Sequence, residues 1–218
     1  MIENAAKLMI LSGQRIDITG DVNMSDKGLS KLLDEYGHIS GSFIVSNNDL
    51  TTLINGPTSV GADYYVGQNP LRNLTGCPSI VPKDFNCANT EIANYIGGPT
   101  SVGGNYHGGN NSMVTSFEGL PLHIGTSGSG NLNLSYTNLA SLAGINKYVK
   151  TIAGYLDLTK TPVKAGGLGL LMIRGITEVK SNYPAFRIIN QFIHAGPAGI
   201  GPCRRQLIAE GLEAFAKL

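Results

Sequence analysis

The sequence has few charges, few cysteines and no long apolar run. Asp, Glu, Lys and Arg make up 14% of its 218 residues. The three cysteines, Cys77, Cys87 and Cys203, have neither metal-ligand nor disulfide-framework spacing, which favours a reducing compartment. No apolar stretch reaches the roughly 18–20 residues of a membrane helix, and residues 1–7, with an early acid, do not resemble a signal peptide. We therefore expect a soluble, cytoplasmic protein without a membrane partner.

Catalytic and cofactor motifs are also absent from the sequence. It has no GxSxG, HExxH or paired-carboxylate motif, and its four histidines are scattered without ligand spacing. A nucleophilic pair of His123 with Cys77 or Cys87 would need a chance juxtaposition. The run Gly166–Gly169 is not followed by the Lys-Ser/Thr of a phosphate loop. We expect no enzyme activity, no metal site and no cofactor.

What the sequence does contain is an internal repeat of 21 residues. Prolines and aliphatic residues recur at this step in two series, Pro57, Pro78 and Pro99, and Leu50, Leu71 and Ile92. Less regular copies extend the pattern from Gly20 to about Val179 and make about seven coils. A fixed period near 20 residues is typical of a solenoid.

Each copy begins with an alternating stretch such as residues 42–46, which predicts a short strand. Stacked copies would pair these strands in one parallel sheet. Asn-rich corners follow the strands, where stacked side-chain amides can satisfy backbone groups. Gly-Pro elements then favour an extended or 3₁₀ return side that is too short for a full helix. The predicted inward pairs are Val22/Met24, Phe43/Val45, Tyr64/Val66, Phe85/Cys87, Leu132/Leu134 and Leu156/Leu158.

The predicted fold class is mostly β with terminal helices: a single right-handed solenoid whose coils join into one continuous core. Two departures interrupt the repeat. Gly108 stands where an inward side chain is expected, and residues 125–130 form a glycine-rich insertion. We expect less regular structure at both places.

The pattern strand–Asn–x–Leu–x–x–Leu–x–Gly–x–Pro resembles the leucine-rich repeat family, in its short bacterial type. It is most similar to repeat proteins of tailed bacteriophages, whose copies resemble residues 41–60 and whose tail resembles residues 187–218. The resemblance covers roughly residues 17–218. It implies a scaffold for recognition that carries no chemistry of its own.

The N-terminal end of a solenoid needs a cap. Residues 3–12 predict a short helix, and residues 15–18 predict a strand. We therefore assign residues 1–19 to an N-terminal cap and residues 20–179 to the solenoid.

Residues 180–218 are predicted to form a C-terminal helical cap. A first helix is expected from Pro184, capped by Asn182, to about His194. A second is expected from Pro202, with an apolar stripe at Leu207, Ile208, Gly211, Leu212 and Phe215. The alternative is that this second helix docks a partner, with Arg204 and Arg205 on its open face.

Charge is unevenly distributed along the chain. Residues 1–146 contain 6 basic and 11 acidic residues, whereas residues 147–218 contain 10 basic and 4 acidic residues. Aspartates on the predicted sheet face would repel a phosphate backbone, so nucleic acid is not an expected partner. Any such binding would use the basic end, through Lys147, Lys150, Lys160, Lys164, Arg204 and Arg205.

Outward strand positions form the candidate recognition surface. We predict a hot spot at Ile44 beside Tyr65, because aromatic anchors dominate interface energies. The alternative is an ordinary solvated sheet face with two stray apolar residues. The predicted partner-binding residues are Ile44, Tyr65, Asn86, His107, Asp63, Asp84, Asn133 and Asp157.

These features predict a non-catalytic protein-recognition module, phage-encoded and acting in the host cytoplasm on a host or phage protein of unspecified identity. One alternative is a structural virion or assembly component that binds through its caps and edges. A weaker alternative is glycan binding along the Asn/Tyr/Asp face. The oligomeric state is left open.

Overall fold

The structure is a computed structural model that describes residues 15–218. Its strands are short because each coil turns after two to four extended residues. In chain order they are β1 (Ile16–Ile18), β2 (Val22–Asn23), β3 (Tyr36–Ile39), β4 (Phe43–Ile44), β5 (Ser59–Val60), β6 (Tyr64–Tyr65), β7 (Ile80–Val81), β8 (Phe85–Asn86), β9 (Ser101–Val102), β10 (Tyr106–His107), β11 (His123–Ile124), β12 (Leu132–Asn133), β13 (Thr151–Ile152), β14 (Tyr155–Asp157) and β15 (Glu178–Lys180).

These strands form a parallel β-solenoid. Among residues 15–218, eight strands build one long sheet in the order β2, β4, β6, β8, β10, β12, β14, β15. Each strand pairs with the equivalent strand of the next coil, as Phe43 does with Tyr64 and Tyr64 with Phe85. The expected solenoid with a parallel sheet on one face is thus confirmed.

The return side is extended, as expected, and its segments are also paired, which was not predicted. It carries two small parallel sheets, β1-β3-β5 and β7-β9-β11-β13. Each coil therefore contributes a second short strand, such as Ser59–Val60, with Val60 buried and Ser59 facing outward. A single helical turn, α1 (Ile145–Tyr148), and a 3₁₀ helix at Leu168–Met172 break this side in the later coils.

The core between the two sides is filled as the alternation predicts. The inward residues from Phe43 to Leu158 are buried, while Val22 and Met24 in the first coil are half-buried. Aromatic rings of consecutive coils follow one another along the solenoid axis, with centroids 5.5 Å apart for Phe43 and Tyr64, 6.0 Å for Tyr64 and Phe85, and 5.0 Å for the more tilted pair Phe85 and Tyr106. Tyr36, on the return side, packs edge-on against Phe43 at 5.3 Å.

Asparagines hold the corners between the long sheet and the return side, as predicted. The Asn69 amide donates to the Val45 and Val66 carbonyls at 3.0 and 2.9 Å and accepts from the Leu50 N–H at 3.1 Å. Asn48 and Asn111 make equivalent bonds in their own coils. The residue just before each of these asparagines has positive φ and is exposed. Only the second residue of each corner therefore belongs to the buried asparagine ladder.

The expected irregularity at the two departures does not reach the long sheet. β10 pairs in register with both β8 and β12, so the ladder continues across Gly108 and across the insertion at residues 125–130. A β-carbon at Gly108 would lie 2.8 Å from ring atoms of Tyr95 and Tyr106. The Tyr95 ring therefore occupies the space that a side chain at position 108 would need, and its hydroxyl donates to the Gly108 carbonyl at 2.9 Å.

At the N-terminal end, β1 confirms the strand predicted at residues 15–18. The helix predicted at residues 3–12 lies outside the described residues. Within residues 15–218, β1 and β2 each pair on one side only.

The C-terminal cap consists of α2 (Ala185–Phe192), a 3₁₀ segment (Ile193–Gly199), α3 (Ile200–Ala209) and a 3₁₀ turn (Glu213–Phe215). The prediction that Asn182 caps the first helix is wrong, because its carboxamide oxygen accepts from the Lys160 N–H instead. The predicted single stripe is also broken. Gly211, at φ 72°, follows the end of α3 and redirects the chain, so Phe215 reaches the core from a separate turn while Ile208 is exposed.

The cap closes the last strand through a residue that sequence reasoning missed. The Asn190 side chain on α2 accepts from the Val179 N–H at 2.8 Å and donates to the Val179 carbonyl at 2.9 Å. This carboxamide takes the place of a peptide group in the next coil. The edge of the long sheet is thereby satisfied at β15, where an open edge would invite further pairing.

Candidate functional site: the outer face of the long sheet

The eight predicted partner-binding residues all belong to one surface, the outer face of the long sheet. Six of them form its central column, in which register joins Ile44 to Tyr65 and continues to Asn86, His107, Asn133 and Asp157. Asp63 and Asp84 belong to the neighbouring column, two residues earlier in their coils. The buried residue between each aspartate and the central column points inward, so both columns face outward. We call these columns the central column and the aspartate column.

The aspartate column is a ladder of coil-to-coil hydrogen bonds. The Asp63 carboxylate accepts from the Asp84 N–H at 3.0 Å, and the Asp84 carboxylate accepts from the Asn105 N–H at 2.7 Å. Asn105 and Asn131 continue the ladder with their carboxamide oxygens, each 3.0 Å from the next backbone nitrogen. These side chains therefore have a structural task that the sequence-based prediction did not assign to them.

Polar residues of the central column are also tied to the scaffold. The Asn86, Asn133 and Asp157 side chains each accept from the backbone N–H two residues later, at 2.8–2.9 Å. Such local turns fix the chain where it leaves the strand. Three of the eight predicted contact residues thus serve first to end their own strands.

Ile44 and Tyr65 are the adjacent pair that these ladders leave free. Both are half-buried, and they lie directly opposite each other in neighbouring strands. Within residues 15–218, no hydrogen bond engages the Tyr65 hydroxyl or the His107 ring. His107 lies two coils beyond Tyr65, not beside it. Ile44 and Tyr65 therefore form the side-chain pair on this face that is available to a partner.

The electrostatics around Tyr65 are acidic. Burial raises the pKa of the Tyr65 phenol, and the carboxylates of Asp63 and Asp84 raise it further. The phenol therefore stays protonated at neutral pH and can donate a hydrogen bond.

Further along the face, the structure shows a contact that the sequence did not reveal. The Lys180 ammonium lies 3.4 Å from the centroid of the Tyr155 ring, and Lys180 is in register with Asp157. Period two places Tyr155 on the outer face, as predicted, but no local sequence signal identifies its partner in the next coil.

The three cysteine thiols lie in surroundings that raise their pKa. Burial raises the pKa of the Cys87 thiol to about 12 and that of Cys203 to about 11, and raises that of Cys77 well above its ordinary value. Among the described residues, no three His, Cys, Asp or Glu side chains lie close enough to hold a metal ion. His38 and His123 instead approach the hydroxyls of Ser59 and Thr151, at 2.8 and 3.3 Å.

No helix within residues 15–218 has the length and apolar character that a membrane crossing requires.

Comparison with known proteins adds no relative to this description. The chain matches no protein-family model, no curated protein and no solved structure.

Proposed function

We propose that this chain is a non-catalytic recognition module that binds a protein partner through the outer face of its long sheet. The observation that carries the proposal is the pair Ile44 and Tyr65, half-buried and adjacent on a face whose aspartates and asparagines are engaged in ladders and turns. Tyrosine is enriched among residues that dominate binding energy, because its ring is large, rigid and amphipathic.

The shape of the face supports this proposal. The next outward position, two residues after the central column in each coil, is occupied by small residues, including Gly67, Ala88 and Gly109. Small side chains beside the Ile44–Tyr65 pair leave the Tyr65 ring accessible to a flat or extended partner. The resemblance to short leucine-rich repeats of tailed bacteriophages further supports a phage origin and a host-cell cytoplasmic location.

The test is affinity capture from bacterial lysate, read by mass spectrometry. The variant Ile44→Asn/Tyr65→Asn removes the apolar pair, and asparagine suits both positions because Asn23, Asn86 and Asn133 occupy the same column. The control is Ile80→Asn, which removes an isoleucine that is 60% exposed on the return side. We expect a partner that wild type and the control retain and the double variant loses. Equal capture by all three proteins would contradict the proposal.

A structural role in a virion is a second candidate, favoured by the one-sided pairing of β1 and β2 among the described residues. Open strand edges can pair with another chain. Light scattering of the purified protein, together with mass spectrometry of purified particles, tests this role. Self-association and presence in particles would support it, whereas a monomer absent from particles would exclude it.

A further inference from the structure

The outer face of the long sheet contains one internal cation–π contact, and that contact indicates which kind of group the face can bind. Lys180 sits over the Tyr155 ring and stands opposite Asp157 in the neighbouring strand. An aromatic ring attracts a cation through its quadrupole, and a nearby carboxylate adds a charge contribution. The chain thus contains an internal example of cation recognition on this face.

The surroundings of Tyr65 offer the same groups without a cation. Asp63 lies two residues before Tyr65 on its own coil, and Asp84 occupies the equivalent position on the next coil. The proximity of both carboxylates is reflected in the raised pKa of the Tyr65 phenol, to which they add after burial. Tyr65 therefore has two carboxylates within electrostatic range, where Tyr155 has a lysine.

The two carboxylates are hydrogen-bonded, but their charge is not neutralised. Their partners are the neutral Asp84 N–H and Ser42 hydroxyl for Asp63, and the neutral backbone and amide groups of Asn105 for Asp84. An ionised carboxylate can accept about four hydrogen bonds, so acceptor capacity is left over. Within residues 15–218, the one ion pair joins Arg72 to Glu91, away from these aspartates.

We infer that the Tyr65 site takes an arginine side chain from a basic segment of the partner protein. This inference rests on the proposed function and specifies the chemistry of the partner. A guanidinium group is planar, so it can stack on the Tyr65 ring while its N–H groups reach the Asp63 and Asp84 carboxylates. Ile44, in register with Tyr65, provides an apolar surface for the aliphatic part of the arginine.

The test uses a fluorescent hexa-arginine peptide and the full chain, with fluorescence anisotropy as the readout. Asp63→Asn/Asp84→Asn removes two charges but keeps the ladder, because Asn105 and Asn131 accept the same backbone N–H bonds in later coils. The charge-matched control is Asp49→Asn/Glu118→Gln, at two exposed positions off the face. We expect at least fivefold weaker binding for the first variant and less than a twofold change for the control. Equal weakening by both would overturn the inference, as would no measurable binding by wild type.

A second pair of variants tests the ring itself. Tyr65→Asn removes the aromatic surface, and its control, Tyr136→Asn, removes a tyrosine that is 53% exposed at a corner position where Asn47, Asn89 and Asn110 stand in other coils. We expect at least a fivefold loss for Tyr65→Asn and none for the control. Hexalysine should bind at least threefold more weakly than hexa-arginine, and equal affinity would overturn the assignment to arginine.

Lysate capture separates a failure of this inference from a failure of the proposed function. If Asp63→Asn/Asp84→Asn retains a partner that Ile44→Asn/Tyr65→Asn loses, the recognition face stands and the arginine assignment falls. If both variants retain every partner, the proposed function itself falls. A salt-sensitive dimer that Asp63→Asn/Asp84→Asn abolishes would assign the cation to a second copy of this chain and overturn the assignment to another protein.

Discussion

At the scale of single residues, buried asparagines at the corners carry a large part of the local stability. Asn69 bonds to two carbonyls and one N–H that no solvent reaches. Each buried polar group that loses its partner costs about 1–3 kcal/mol. The Asn69 side chain is therefore needed to satisfy the buried backbone groups around it.

Asn69→Ala should lower the free energy of unfolding by about 2 kcal/mol or more, because the Val66 carbonyl and the Leu50 N–H lose their partner, whereas the Val45 carbonyl keeps a bond from Asn48. Urea unfolding followed by circular dichroism measures this change. Asn138→Ala, at an exposed position, is the control and should change stability by less than about 0.5 kcal/mol. Similar losses in the two variants would show that the corner bonds are dispensable.

Gly108 and Tyr95 illustrate compensation between neighbouring coils. Val45 and Val66 hold the position of Gly108 in earlier coils, and those coils have Leu53 and Leu74 where Tyr95 stands. The Tyr95 ring fills the space that a side chain at position 108 would need.

Gly108→Val alone should destabilise the protein by about 3 kcal/mol, because its side chain meets the Tyr95 and Tyr106 rings. Combining it with Tyr95→Leu restores the pairing of the earlier coils, so the double variant should be more stable than the sum of the single losses by more than about 1 kcal/mol. Thermal and urea unfolding of all four proteins measures this coupling. Strict additivity would show that the two positions do not share space.

At the scale of elements, the long sheet is held by side-chain ladders as well as by its backbone. The aspartate column contributes one acceptor per coil to the N–H of the next coil. The column changes from aspartate at positions 63 and 84 to asparagine at positions 105 and 131 and keeps the same hydrogen bond, which indicates that the oxygen is needed and the charge is not. This leaves the charge of Asp63 and Asp84 free for another role.

Asp84→Asn should therefore change stability by less than about 0.5 kcal/mol, whereas Asp84→Ala should cost about 1–2 kcal/mol through the lost acceptor for the Asn105 N–H. Parallel urea titrations of the two variants test this difference. A large loss for Asp84→Asn would mean that the carboxylate charge itself stabilises the sheet.

The sequence predicted the long sheet and an extended return side, but not the pairing of the return strands, for a physical reason. Alternation across residues 42–46 identifies a strand whose inward face is apolar. The return strands, such as Ser59–Val60, are two residues long, and two residues cannot show a period. Pairing of the return strands results from the stacking of whole coils, which a local sequence pattern does not reveal.

The sequence predicted where the site residues lie, but not which of them have a structural role. Period two placed Asp63, Asn86 and Asp157 on the outer face, where they are found. Their hydrogen bonds depend on the relative height of neighbouring coils and on turns after each strand, so sequence reasoning could not separate structural residues from free ones. The 21-residue recurrence of Asp and Asn before each strand was the one available signal for the ladder.

At the scale of the whole molecule, burial of ionisable groups makes stability depend on alkaline pH. Burial raises the pKa of Cys87 from 9.0 to about 12. It also raises that of Tyr36 from 10.0 to about 12, with Asp34 adding to the rise. A group whose pKa is raised on folding stabilises the fold fully below its unfolded pKa. That contribution is lost as the pH rises through the folded pKa. Stability should therefore be level up to about pH 9 and fall between about pH 9 and 12.

Thermal unfolding between pH 7 and pH 11 tests this dependence. Cys87→Val should flatten the decline, because it removes one titrating group, and valine fits a position that Val45 and Val66 fill in other coils. A wild-type melting temperature that does not change up to pH 11 would contradict the expectation.

Site-specific photo-crosslinking tests the central claim most directly, because it reports which face of the intact molecule touches a partner. A benzophenone amino acid would replace Ile44 on the long sheet in one protein and Ile80 on the return side in another. Both positions are outward-facing isoleucines, and Ile80 is the more exposed of the two, so exposure alone would favour an adduct from position 80. We predict a discrete adduct from position 44 in host lysate and none from position 80. An adduct from position 80 alone, or none from either position, would contradict recognition through the long sheet.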